Sequence, residues 1–376
     1  MSDTATSRQV ETADPSHAGV RAGQGVHQLG YRPWSGSLVF GWTRWMVISQ
    51  VGILRAWQSQ WLKRMLFFAW LPALWFGAGF FVWEQAAQYP DWLPMVAPLT
   101  RALPSTPVFD EVKEAVRTGN LTDSRHVVWS WLLQTFFRNS QAVLMVLLVG
   151  LIAPPLISQD IRSRAFLLYF SRPLTRGEYL FGKLGTLWAY LAMVSAIPAL
   201  GLYIIGVMLS PSLNVVIATW DLPLRIFAAS IVLILPTSAL ALCLSSLTQE
   251  SRYAGFSWFA IWILGWFTYV ALSTAETFHA QTKAMQQGGD VQQQPRPRQN
   301  RGLFRGPPRP QNSESVQLPE SVWTHLSLYH TLGRVQSWVF GFSQLSDVFP
   351  SIAILVGITF VSLNVLLYRI SAPMRI

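Results

Sequence analysis

Apolar residues in this chain gather into six runs of about twenty residues each, separated by more polar stretches. A helix of that length spans the hydrocarbon core of a bilayer. The runs cover residues 65–83, 141–158, 184–209, 226–247, 255–273 and 352–367. Pro72, Pro154, Pro155 and Pro198 fall inside or at the end of these runs. Membrane helices tolerate proline because neighbouring groups satisfy the freed backbone. The pattern predicts an all-α fold: a polytopic membrane protein with about six transmembrane helices.

The remaining segments have patterns of their own. Residues 1–40 are polar at their start, without an apolar h-region, and are expected to form a disordered tail with no cleavable signal peptide. Residues 41–64 read as an amphipathic helix. Val47, Val51, Leu54, Trp57 and Trp61 share one face, and Ser49, Gly52, Ala56, Ser59 and Lys63 share the other. Tryptophan on the apolar side with Arg44, Arg55, Lys63 and Arg64 nearby is the composition of a helix lying at the membrane interface. Between the first two runs lies a loop of mixed polarity, residues 84–140, with a short helix expected at 110–117. Residues 276–320 hold glutamine runs and a Pro/Arg tract that cannot bury enough apolar surface to fold, so disorder is expected. Residues 321–349 regain helical periodicity and are expected to form an amphipathic segment at the far surface. Residues 350–376 supply the last span and a short tail.

Composition narrows the class. Hydrophobic residues make up 51% of the chain and charged residues 12%, about half the charge of a soluble domain. The formal net charge of +10 suits anionic lipid better than nucleic acid in a chain this apolar. Short loops decide orientation. Residues 159–183 carry Arg162, Arg164, Arg172, Arg176 and Lys183, whereas residues 210–224 carry no Lys or Arg. Both termini and the 159–183 loop are therefore expected in the cytoplasm, and the 276–320 tract outside. The expected location is a bacterial cytoplasmic (inner) membrane, crossed several times.

No catalytic pattern emerges. The chain has neither a zinc-binding HExxH nor a GxSxG elbow, and its single cysteine, Cys243, lies in an apolar run. The heptad from Gly177 to Lys183 fits GxxxxGK, but Leu184 follows where a phosphate loop needs Ser or Thr, and Tyr179 and Phe181 fill the loop. No cofactor, metal site or enzymatic activity is expected. The six runs also lack Asp, Glu, Lys and Arg near their centres, which argues against a proton-coupled carrier. Work is then expected to enter from another subunit.

The loop 159–183 is the most informative stretch. Asp160 opens a short helix, Phe166, Leu167 and Phe170 form an apolar stripe along it, and Pro173 ends it. Such a helix can rest on lipid or dock in a partner's groove. The order Asp160, Ser171-Arg172-Pro173, Arg176, Glu178-Tyr179 and Gly182-Lys183 resembles the first cytoplasmic loop of the ABC-2-type permeases of ABC transporters. Leu244-Ser245-Ser246-Leu247 with Ala254 is a weaker match to the same family. Arg164 stands where that family often has Gly, and the 276–320 tract is not part of its common pattern.

The resemblance implies a permease that pairs with a second permease subunit, identical or not, and with separate ABC ATPase subunits. It implies docking of those ATPases on the loop, through Phe166, Leu167 and Phe170, with Asp160, Arg172 and Arg176 fixing its shape. The expected function is the permease subunit of an ATP-driven exporter. The rival is a non-transporting membrane scaffold whose external basic tract binds an anionic partner.

Overall fold

The computed structural model describes residues 43–371 apart from 102, 105, 166–168, 170–173 and 292–321. All regular secondary structure among them is helical. Six helical stretches are long and apolar enough to cross a membrane: Gln60–Gln88, Val143–Arg162, Arg176–Leu209, Asp221–Leu247, Ser251–His279 and Leu345–Ser371. The expected all-α, six-span class is thus what the chain adopts. The tail 1–40 lies outside the described residues.

The first helix is shorter than the 41–64 expected. α1, Arg44–Trp57, stops before Ser59, whose hydroxyl accepts from the Leu62 amide and starts α2, Gln60–Ala69. α2 and α3, Leu71–Gln88, together form the first span. The apolar stripe of α1 stays exposed at Val47, Val51, Leu54 and Trp57. Its small, polar face packs instead on α8, Arg176–Val194, the first half of the third span.

That seam depends on glycine. A Cβ on Gly182 would sit 2.5 Å from Ile48 Cβ, and one on Gly185 would sit 2.3 Å from Ser49 Oγ. Ser49 Oγ uses the close approach to donate to the Gly182 carbonyl at 2.8 Å, and Tyr190 Oη donates to the Ile53 carbonyl at 2.8 Å. Small residues serve helix contacts in membranes in the same way, because packing there replaces the hydrophobic drive.

Residues 84–140 do not form a simple loop. The short helix expected at 110–117 is present as α5, Pro107–Thr118, preceded by α4, Leu93–Arg101. α6, Arg125–Ser140, runs beside the first span. Trp129 meets Phe80 and Phe136 meets Phe76, with ring centroids 5.4 and 6.1 Å apart. The polar residues Arg125, His126, Arg138 and Asn139 had masked this helix in the hydropathy pattern. Glu84, fully buried in α3, explains one of them: Arg125 Nε binds its Oε1 at 2.9 Å, and Trp129 Nε1 donates to the same oxygen at 3.1 Å.

A π-helical turn, Gln141–Met145, joins α6 to α7, Val146–Arg162, the second span. Pro154 and Pro155 interrupt the α7 ladder. Ser245 Oγ, from the fourth span, repairs it by accepting from the Ile157 and Ser158 amides and donating to the Pro154 carbonyl. The third span bends at Ser195, between α8 and α9, Ala196–Leu209, where Pro198 removes a ladder donor.

A short helix α10, Asn214–Ala218, leads to the fourth span, α11, Asp221–Leu247. α12 runs from Ser251 to Val291. It therefore includes residues 276–291, which the sequence places in a disordered loop. Ala, Gln, Lys and Met there are good helix formers, so propensity outweighs the lack of apolar surface. Residues 292–321, with the Pro/Arg tract, lie outside the described residues.

The segment expected as an amphipathic helix at the far surface turns inward. After a 3₁₀ turn, Val322–Leu326, α13, Leu328–Val339, packs among the fourth, fifth and sixth spans. Leu332, Val335 and Gln336 are buried, and Gln336 Nε2 donates to the Ala229 carbonyl. Its apolar stripe meets protein because α14, Leu345–Ser371, offers Ile352 and Leu355 beside it. Contacts of Arg176 with Ser371 and of Arg369 with the Leu247 carbonyl gather one end of the bundle. Gln88 with the Leu209 carbonyl and His126 with Asp221 gather the other.

Two outcomes test this packing. Gly182→Val should destabilise the protein by about 1–3 kcal/mol, since its side chain must push α1 off α8. Gly201→Ala, which meets nothing within 4 Å, should be neutral or slightly stabilising. Thermal unfolding in detergent reads both, and equal midpoints for the two variants would contradict the seam. Arg164, just past the α7 C-terminus, has φ 53°. The left-handed region costs a residue with Cβ about 1 kcal/mol, so Arg164→Gly should raise stability by up to about that much. A lower midpoint for this variant would show that the Arg164 side chain contributes more than its backbone strain costs.

Candidate functional site

The two helices flanking residues 163–175 meet at one buried carboxylate. Asp160 does not open a separate helix as expected but lies in the last turn of α7, because the second span continues to Arg162, and it is 6% exposed. Its Oδ2 accepts from Tyr179 Oη at 2.7 Å and pairs with Lys183 Nζ at 2.7 Å. Both partners come from the start of α8, one turn apart, so they present to the same side of the helix. Lys183 also lies 5.4 Å over the Tyr179 ring. Breaking such a buried pair by removing one partner costs about 3–5 kcal/mol, because the other charge is stranded.

The α8 end of the loop is closed locally. Thr175 Oγ1 accepts from the Glu178 amide, and Glu178 Oε2 accepts from the Thr175 amide at 2.7 Å, a complete capping box that fixes where α8 begins. Burial, and then the Asp160 carboxylate, push the Tyr169 phenol above its ordinary range. Its ring packs 5.7 Å from that of Tyr179.

Neighbouring elements are tied to the same flanks. Arg55 of α1 donates to Gln159 Oε1 at 3.3 Å, Arg162 pairs with Glu250 in the turn between the fourth and fifth spans at 3.5 Å, and Arg176 donates to Ser371 Oγ at 2.9 Å. Beside the junction a groove of about 420 Å³ opens between α1, α7 and α8, apolar at Val51, Ile152 and Pro155 and polar at Arg55 and Gln159. The loop is thus a short crossing whose two feet are linked to α1, to the 248–250 turn and to the last helix.

Of the expected site residues, Asp160 lies at the centre of this junction. Arg176 lies at its edge and points to the sixth span rather than to Asp160. Phe166, Leu167, Phe170 and Arg172 lie outside the described residues. Tyr179 and Lys183 are the partners of Asp160, which the sequence shows only as members of the loop pattern. Their spacing of four on a helix led by a capping box was the available signal. The Glu84–Arg125 pair had no sequence signal, since its members lie 41 residues apart. No group of three or more His, Cys, Asp or Glu among the described residues is arranged to hold a metal.

The family model described as ABC-2 family transporter protein matches residues 58–369. No curated protein and no solved structure gives a significant match. The matched stretch runs from the start of the first span to the end of the sixth and contains the whole junction around Asp160. This chain belongs to the ABC-2 transporter family, as a multi-pass membrane permease.

Proposed function

We propose that this permease is the membrane half of an ATP-driven exporter, energised by separate ATPase subunits that dock on residues 163–175. The buried Asp160–Tyr179–Lys183 junction carries this reading. It ties the ends of the second and third spans together on either side of residues 163–175, which a loop resting passively on lipid does not need. The apolar stripe of Phe166, Leu167 and Phe170 is the proposed contact, with Arg172 and Arg176 shaping its surroundings. Orientation follows from charge: the junction end faces the cytoplasm of a bacterial cell, within its inner membrane. A second permease subunit completes the pathway, and α1 lies at the interface with its exposed Val47, Val51, Leu54 and Trp57 in lipid. ATP hydrolysis belongs to the partner, and nucleic acid is not among the partners. The scaffold reading draws on the basic tract 292–310 alone and leaves the junction without a use.

Purification tests the docking. Phe166→Asp and Phe170→Asp should reduce recovery of the ATPase roughly a hundredfold in affinity, because an apolar contact would then bury a charge. Ser163→Asp, at an exposed position, should change it little. Undiminished ATPase recovery in both stripe variants would remove the docking assignment. Orientation has its own test. With Cys243 replaced by Ser, single cysteines at the exposed Ser163 and Ser212 should react with an impermeant thiol reagent differently. Position 212 should label in intact cells and position 163 only after lysis, and the reverse pattern would invert the topology.

A further inference from the structure

Arg138 is a half-buried cation of the bundle with no ion pair among the described residues. It occupies the last turn of α6, next to Phe136, which packs on Phe76 near the middle of the first span. Its guanidinium lies 4.5 Å over the Tyr329 ring of α13. It fits there only because residue 333 is glycine: a Cβ on Gly333 would stand 1.4 Å from Arg138 Nη1. Among the described residues Arg138 has no ion pair and its N–H groups no hydrogen-bond acceptor. The carboxylates of the neighbouring helices are committed elsewhere, Glu84 to Arg125 and Asp221 to His126 and Arg225.

The surroundings add donors and no negative charge. His330 packs against Tyr269, with ring centroids 3.6 Å apart and ring planes tilted by 33°. The buried Nδ1 of His330 has no partner among the described residues. α13 begins at this level, and its N-cap Ser327 places no side chain over the first-turn amides. The π-helical turn after Arg138 marks the same place, and such turns recur at functional sites. An unpaired arginine at span depth is costly unless something anionic visits it.

We propose that Arg138, with His330 and the first turn of α13, binds an oxyanion carried by the transported substrate: a phosphate group, of lipid or of a soluble molecule. This rests on the transporter reading and names its substrate chemistry. Binding is read on the full chain in nanodiscs of neutral phosphatidylcholine, without ATP or ATPase. Phosphatidic acid is added in one arm and followed by native mass spectrometry. Inorganic phosphate is added in the other and followed by calorimetry. The wild type should bind in at least one arm, and that arm identifies the source. Arg138→Gln should weaken that binding roughly tenfold or more, as expected for loss of a charged hydrogen-bond donor. Arg138→Lys should retain most of it, and Arg117→Gln, an exposed arginine paired with Glu114, all of it. Should Arg138→Gln fail to fold, Gly333→Ala decides, since its methyl displaces the guanidinium and should weaken binding while keeping the charge. Absence of binding in both arms, or binding unchanged by Arg138→Gln or by its substitute Gly333→Ala, overturns the site. Because the assay needs no ATPase, that result would leave the transporter reading standing. Lost ATPase recovery with intact anion binding would strike the transporter reading alone.

Discussion

A carboxylate taken out of water needs a counter-charge and hydrogen-bond donors, and Asp160 finds both on a single helix turn. Tyr179 and Lys183 converge on the same oxygen, each at 2.7 Å. The rest of this end of the bundle is organised around that contact. α8 must start where its capping box places it, so that residues 179 and 183 face α7. α1 must approach α8 closely enough for Ser49 to reach the Gly182 carbonyl, which is why positions 182 and 185 carry no side chain. The same heptad, Gly177 to Lys183, fits a phosphate-loop spacing by coincidence. Its glycine and lysine serve helix packing and an ion pair instead.

The six spans were legible because a bilayer demands long apolar runs, and no tertiary contact is needed to see them. Their ends were less legible. Residues such as Asp221 and Ser251 extend helices past the apolar run, since a helix continues in polar surroundings that hydropathy cannot register. α6 was hidden for a related reason. Arg125 and Arg138 lower its hydropathy, yet the first finds Glu84 and the second lies over Tyr329 within the fold. The inward turn of α13 was also invisible, because an amphipathic stripe has the same pattern whether lipid or protein covers it. Ile352 and Leu355 supply that cover only once the sixth span is in place.

The site was legible in part and for an uneven reason. Asp160 stood out as a charge at the edge of a span, and the family pattern carried Tyr179 and Lys183 along without explaining them. The position of Arg164, where the pattern often has Gly, now has a physical account in its φ of 53°. Two kinds of charge emerge at different levels of the bundle. The Asp160–Lys183 pair is closed and serves force transmission in the proposed mechanism. Arg138 has no ion pair among the described residues, and its guanidinium lies over the Tyr329 ring, where the proposed oxyanion would bind. A permease needs both: a rigid input for movement, and a site that recognises cargo without trapping it.

Whether the junction transmits movement is the central claim, and a distance measurement addresses it most directly. Spin labels at positions 163 and 212, in a chain with Cys243 replaced, report the separation between the proposed ATPase end and the opposite end of the bundle. In the assembled complex, ATP should shift that distance distribution. In Lys183→Met, which strands Asp160, the ATPase should still bind and hydrolyse ATP while the opposite end stays where it was. A Lys183→Met complex whose distances shift as fully as the wild type would contradict the account.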